Sequence, residues 1–513
     1  MMTRHEAEAI YDAGKETVVR VLLELSAKVD QLTVDFAALK AENVALRAEC
    51  QTLRDRVQTL EEQVAKDSHN SHQPPSSDGL TKPKPKSLRP KSERPTGGQP
   101  GHPGHTLRMV ETPDRIVPHR VERCSGCGRS LAGQQPDRVE RRQVHDLPEP
   151  KLEVTEHQAE VKTCPCGCVN RAAFPPEAAA PAQYGPRVKS VAVYLGEYQL
   201  LPFDRLAEIM RDLFACESFS AGTLANFKAD CARRLAPGET AIRDLAAAAP
   251  VAGFDETGVR ATGSLHWLHT VSTRLLTWYY AHQRRGREAI DAAGILAGYR
   301  GRAIHDCWKS YFDYDCDHGL CNAHLLRELI FLWEQQSQKW AKNMIDHLLT
   351  IKHAVATAGA AGLTALPLAE QEQFRKGYER ILQTGYAQNP VAPPAHGPKR
   401  RGRRKQSKAC NLLDRFRDHP DSILAFLRDF AVPFDLPTPK RLRQAGNNQS
   451  ERDLRMMKLR QKISGTFRSF QALVNFCRIR GYVSTARQNG LNALNALQRV
   501  FLGDPFIPAG NAS

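Results

Sequence analysis

Leu25, Leu32, Leu39, Leu46, Leu53 and Leu60 recur at every seventh residue, and four residues after each stands Val29, Phe36, Asn43, Cys50, Val57 or Val64. No Gly or Pro interrupts this 4-3 repeat. Leu at d with mostly β-branched or polar residues at a predicts a coiled coil over residues 18–66. The stripe is covered either by a second copy or by the chain's own surface. Six repeats are more than an ordinary globular helix shows and favour the second copy. Leu at d with Val at a favours two parallel strands, and a buried Asn43 fixes their register at some cost in stability.

The rest of the chain must fold separately, and 513 residues allow several domains. Lys and Arg total 72 against 56 Asp and Glu, a net charge of +16. That balance predicts a polyanionic partner, nucleic acid or an anionic membrane surface. No run of about 18 apolar residues is present, so no membrane span is expected. The start, "MMTRHEAEAIYDAG", has no apolar signal core. Thirteen cysteines, an odd number, read as cytoplasmic thiols and metal ligands rather than a disulfide framework.

Residues 67–112 are rich in Pro, Ser, Gly and Lys and predict a disordered basic linker. Then come "CSGC" (Cys124, Cys127) and "CPCGC" (Cys164, Cys166, Cys168). Two short-spaced pairs supply the four soft ligands of a tetrahedral, closed zinc site, a folding element spanning residues 113–180. The alternative is free cysteines. Within the zinc reading the fourth ligand is Cys166 or Cys168. Alternating runs such as "RRQVHDLP" and "LEVTEHQAEVKT" predict two strands that bring the knuckles together. Residues 181–248 read as helical. Their helix, short turn and Ser220-led helix fit either a helix-turn-helix or plain helical packing.

"VAGFDETGVR" predicts a strand with two adjacent acids, Asp255 and Glu256, on opposite faces, Asp255 inward. "LHWLHTVST" and "LLTWYYAHQ" predict two more strands, "GREAIDAAGILAGY" a helix, and "GRAIHDCW" a fourth strand ending at Asp306. That order suits an α/β nuclease-like core. If the fourth strand lies beside the first, Asp255 and Asp306 converge. Two carboxylates at about 4 Å repel by roughly 4 kcal/mol at an effective dielectric near 20. A divalent cation removes that cost. Mg²⁺ takes carboxylate and phosphate oxygens, and two ions about 3.5–4 Å apart serve phosphodiester chemistry. A third ligand is expected from a later helix. In "NNQSERDLRMMKLRQKISGTFRS", Asn448 is a helix cap and Glu451 stands three residues on, as a capping-box acid or as that ligand. Leu454, Met457 and Leu459 support the helix. Arg452, Arg455 and Lys458 suit a phosphate track, as does the basic run Lys399, Arg400, Arg401, Arg403, Arg404, Lys405 and Lys408.

"GFDETGVR", "HDCWKSY", "CNAHLLREL" and "NNQSERDLR", with the zipper, the linker "GGQPGHPGHTL" and the cysteine knuckles, resemble the insertion sequence 66 transposases, a group of DDE-type transposases. The resemblance implies a multidomain α+β protein. It would combine an N-terminal coiled coil (1–66), a small zinc ribbon, a helical DNA-binding region, a ribonuclease-H-like α/β catalytic core (249–470) with a helical insertion at about 320–430, and a C-terminal helical domain (471–513). It implies Asp255, Asp306 and Glu451 as catalytic acids holding two Mg²⁺, with structural Zn²⁺ on Cys124, Cys127, Cys164 and Cys166. The activity implied is DNA cleavage and strand transfer at element ends. The partners implied are double-stranded DNA at those ends and at the target, a second or further copy through the coiled coil, and accessory proteins of the same element. The chain departs from the family pattern at Leu436–Gly446, eleven residues between "VPFD" and "NN". They form either a surface loop that leaves the helix in place or an insertion that displaces the third acid. The second case leaves a catalytically inactive DNA-binding dimer or repressor.

Overall fold

A computed structural model of the chain describes residues 3–66, 70–71, 106–175, 177–390, 406–434 and 449–509, without the side chains of 449–453 and 455. Outside that description lie most of the linker, the basic residues from Lys399 to Lys405, the segment Leu436–Gly446, Asn448 and the side chains of Glu451, Arg452 and Arg455.

The chain begins with α1 (Arg4–Asp12) and α2 (Lys15–Val64). A small hairpin follows, β1 (Val161–Thr163) with β2 (Val169–Arg171), then α3 (Pro186–Val193), which runs into a π-helical turn at Tyr194–Tyr198. Three helices lead into the main sheet: α4 (Phe203–Phe214), α5 (Ala221–Arg234) and α6 (Ala236–Ala247). The sheet contains β3 (Val251–Ala261), β4 (Ser264–Ser272), β5 (Thr277–His282), β6 (Arg302–His305) and β7 (Asp317–Leu320), with α7 (Arg287–Ala293) between β5 and β6. A helical stretch follows: α8 (Asn322–Gln336), α9 (Lys339–Ala360), α10 (Leu368–Gln388), α11 (Lys408–Asp418), α12 (Pro420–Ile423) and α13 (Ala425–Arg428). The chain closes with α14 (Gln449–Ser464), α15 (Phe470–Gln488) and α16 (Ala493–Leu502). The protein is therefore a mixed α+β chain, and it divides into two compact units, Met1–Leu80 with Leu320–Asp435, and Thr81–Gly319 with Leu436–Ser513.

In the first unit, α2 runs unbroken for 50 residues, roughly 75 Å at 1.5 Å per residue. Its heptad leucines stay exposed, from 43% at Leu25 to 66% at Leu32. The far end of α2 is anchored. Glu62 accepts from Gln336 Nε2 at 2.8 Å and pairs with Lys408 Nζ, which also sits over the Phe331 ring. Trp340, Met344, Leu348, Tyr378 and Phe416 are fully buried among the helices α8–α13.

In the second unit the strand order is β5–β4–β3–β6–β7. The meander β3–β4–β5 is antiparallel, and β6 joins β3 in parallel. The sequence read the order of these four strands and the helix, but not β7. Side chains alternate between two cores, as strand geometry requires. Ala252, Phe254, Val271 and Trp278 enter one, with α3, α5, α15 and α16 residues. Val259, Ala261, Leu268 and Tyr279 enter the other, with Leu454 and Met457 of α14 and Phe476 of α15. Each such side chain, fully buried, contributes about 1.5–3 kcal/mol. Leu459, expected to help bury α14, is 40% exposed. The outer edge of β5 is satisfied by α15, where Thr485 Oγ1 accepts from the Thr277 amide at 3.0 Å.

The strands expected between the cysteine knuckles do not form. Residues 141–160 carry no strand, and only the last three residues of "LEVTEHQAEVKT" pair, with Val169–Arg171. Val144, Leu147 and Val154 are 83–92% exposed, so the alternation there has no core to face.

The junction into β6 is tight. Arg302 donates its amide to the Pro250 carbonyl at 2.8 Å. A Cβ on Gly301 would lie 2.5 Å from the Ala249 carbonyl oxygen and 2.7 Å from that of Pro250. Backbone atoms at that range must move. Gly301→Ala is therefore expected to cost about 1–3 kcal/mol, read as a lowered urea midpoint; an unchanged midpoint contradicts the close approach.

Candidate active site

The parallel register pairs Val251 with Arg302, Ala252 with Ala303 and Gly253 with Ile304. Continued two residues past Gly253, it sets Asp255 level with Asp306, one residue beyond the end of β6. Adjacent strands lie about 4.8 Å apart. Ala252 and Ala303, partners in this register, share one core. The odd-numbered β3 residues Val259 and Ala261 mark the opposite face, where α14 lies, as the face of Asp255. The fourth strand lies beside the first, the condition the sequence sets for the two aspartates to converge.

Each aspartate is fixed by a backbone donor. The Glu256 amide donates to Asp255 Oδ1 at 2.8 Å, and the Trp308 amide donates to Asp306 Oδ1 at 3.0 Å. The second contact needs a sharp turn, and Cys307 supplies it at φ +57°, a left-handed conformation uncommon outside Gly.

Glu256 faces the other side of the sheet, as alternation requires. Its side chain is 2% exposed, while both acids stand at half-buried positions of the strand. Strand alternation decides which face an acid takes but not how well that face is covered. Arg285 Nε and Nη2 donate to Glu256 Oε1 at 2.9 and 2.6 Å, and Tyr311 donates its hydroxyl to Oε2. Burial pushes the Glu256 carboxyl upward, the Asp306 charge adds to the shift, and the Tyr311 and Arg285 contacts oppose it. Tyr311, buried beside Glu256, Asp255 and Asp306, holds its proton far above the usual phenol range. Arg285 lies over two indoles, 5.0 Å from the Trp267 ring centre and 4.4 Å from that of Trp308. Sequence reasoning missed Arg285, Tyr311 and both tryptophans as a group. The motif "HDCWKSY" holds two of them, and only the fold brings Trp267 and Arg285 to it.

Two anchors fix the path of α14. Lys458 donates Nζ to the Gly258 carbonyl at 2.9 Å. Beyond the helix, Phe467 pairs in parallel with Ala261, its amide donating to the Arg260 carbonyl at 3.1 Å. Moving from Phe467 back to Lys458 thus moves from Ala261 back to Gly258, so α14 runs parallel to β3. Position 451 lies two helical turns before Lys458 on the same helix face, about 10.5 Å away. Asp255 lies three residues before Gly258, about 10 Å. The helix backbone therefore carries position 451 toward the level of Asp255. Lys458, expected at a phosphate track, is half-buried against the sheet, and burial lowers its affinity for its proton. Lys408, the described member of the other basic run, is engaged with Glu62.

Each cysteine pair forms its own knuckle. The Gly128 amide donates to the Cys124 carbonyl at 3.0 Å, and the Cys164 amide to the Cys168 carbonyl at 2.8 Å. Backbone amides of Cys127 and Gly126 hold the Cys124 thiol below its ordinary pKa, and the Cys168 amide does the same for Cys166. Among the described residues no group of three or more His, Cys, Asp or Glu is arranged to hold a metal ion.

The family model for the Transposase IS66 family matches residues 181–474, more than half of the chain. The chain belongs to the IS66 transposase family. The matched region of this transposase begins just before α3 and ends inside α15, so it contains the whole main sheet and α14. A second model, a family of unknown function (DUF6444), matches residues 15–108, which include all of α2. No curated protein matches the chain. No helix among the described residues is long and apolar enough to cross a membrane. Ser220, the residue expected to start the second helix of the possible DNA-reading pair, caps α5, its Oγ accepting from the Thr223 amide at 3.2 Å.

Opposite Glu256 on β4 stands His269, pushed down to about 4 by burial. As pH falls from about 6.5 toward 4, the unfolded chain takes up a proton that the folded chain refuses, so stability drops through that window. The loss expected is up to about 3 kcal/mol. His269→Gln should flatten the pH dependence of the urea midpoint between those values; an unchanged slope contradicts the buried neutral imidazole.

Proposed function

We propose that the chain is a DDE transposase in which Asp255, Asp306 and Glu451 form one magnesium-dependent centre for cleavage and strand transfer at element ends. The observation that carries this reading is the parallel β3–β6 register, which, continued past its last pair Gly253–Ile304, runs to Asp255 on β3 and Asp306 just after β6. The antiparallel meander with a parallel fourth strand supports a ribonuclease-H-like core. The α14 path supports Glu451 as the third acid.

The residues fit the metal. Carboxylate oxygens are the hard donors that Mg²⁺ takes, and both aspartates are already oriented by backbone amides. When bound, two Mg²⁺ would activate the attacking oxygen and stabilise the leaving one. Asp255, within β3, and Asp306, just past the end of β6, would be the ligands. Lys458 keeps α14 in register with β3. The net charge of +16 draws the polyanionic substrate. The reaction is in-line attack by water to free a 3′-OH, then attack by that 3′-OH on target DNA, with no covalent enzyme intermediate.

The cysteine knuckles also fit their metal, since thiols held toward the thiolate form by backbone amides are zinc ligands in waiting. Cys124, Cys127, Cys164 and Cys166 or Cys168 would form a folding site. The exposed leucine stripe of α2 supports pairing of two copies through a parallel coiled coil.

Asp255→Asn removes charge without changing shape. Cleavage of element-end DNA in Mg²⁺ is expected to fall by roughly a hundredfold or more, while binding of the same DNA changes by less than about threefold. Retained cleavage defeats the assignment.

A further inference from the structure

Arg285 is unlike the arginines beside it. Arg284 and Arg287 reach helical partners, Glu288 and Asp291, with side chains 74% and 65% exposed. Such pairs are worth little. Arg285 instead has one edge of its guanidinium on the buried Glu256 and lies over the rings of Trp267 and Trp308. Among the described residues its Nη1 makes no hydrogen bond, and the side chain is still 41% exposed.

We propose that Arg285 is a phosphate-binding residue, aimed at one backbone phosphate of the cut DNA strand where it passes the sheet face opposite Asp255. The proposal rests on the DNA-cleaving reading above and adds a residue to it. An arginine loses side-chain freedom when it grips a ligand. Here that freedom is already lost on folding, so the planar fork is preset for an oxyanion. A counter-ion alone does not explain the arrangement. Burying a carboxylate to pair it is seldom a gain over a neutral core, and Glu256 already has the Tyr311 donor. The position is also tied to both acid-bearing elements. Glu256 directly follows Asp255 on β3. Trp308, which stacks on the guanidinium, gives its amide to Asp306. A lysine would keep the charge but not the stacked fork.

The test is a scan of DNA carrying the element end, in which each phosphate of the cut strand is replaced singly by a neutral methylphosphonate. Cleavage in Mg²⁺ is followed as kcat/KM. Glu256→Gln with Arg285→Met removes both charges, so no buried charge is left unpaired. In the wild-type chain one position of the cut strand away from the cleaved phosphate is expected to lose about tenfold. The double variant is expected to lose about tenfold on unmodified DNA and nothing further at that one position, because the contact is already gone. Arg285→Lys keeps the charge against Glu256 and guards against a folding failure of the double variant; it should lose about fivefold, with a smaller effect at the same position. Methylphosphonate losses that stay unchanged at every position in both variants overturn the proposal and leave Arg285 a counter-ion. A wild-type chain that does not cut the unmodified DNA fails the catalytic reading, and this proposal with it, before any variant is compared.

Discussion

Parallel pairing of β3 with β6 is the constraint on which the site depends. Parallel strands cannot be joined by a tight turn. The chain therefore travels through β4, β5 and α7 before it returns beside its starting strand. That route brings Asp306 level with Asp255, although 50 residues separate them in sequence. Gly301, pressed against the Ala249 and Pro250 carbonyls, marks where the returning chain must enter. The like charges are thus not a local accident but the product of one register.

The same strand organises both of its faces. Toward α14 it presents Asp255, Val259 and the Gly258 carbonyl that Lys458 holds. On the other face it presents Phe254 and Glu256, with Arg285, Tyr311 and the two tryptophans gathered around the acid. Neighbouring residues in "FDET" therefore serve two different environments. One acid remains half-buried at the strand surface, and the other is buried and neutralised by its neighbours.

Much of this was legible in the sequence because it rests on periodicity. The heptads predict a long helix, and α2 is one. Strand runs follow from alternation, while the Asp255–Asp306 pairing is conditional on a neighbour relation that only the fold supplies. Ser220 as a cap follows from local hydrogen bonding. What periodicity cannot read is contact across elements. Nothing in "QRRGRE" tells which arginine will lie over two indoles, since Trp267 and Trp308 come from different strands and turns. Lys458 looked like a surface cation because its run is basic, yet its position faces β3. The strands expected around Val144 and Val154 failed for the opposite reason: their pattern alternates with no buried face to reward it.

The account stands or falls on whether α14 delivers its acid to the two aspartates. The most direct measurement is a crystal structure of the full chain grown with Mn²⁺ in place of Mg²⁺, with anomalous diffraction recorded at the manganese edge. The account predicts manganese between the Asp255 and Asp306 carboxylates, with the Glu451 carboxylate within about 2.5 Å of a metal. Manganese absent from that position, or Glu451 turned to a remote surface with no other acid beside the pair, contradicts it.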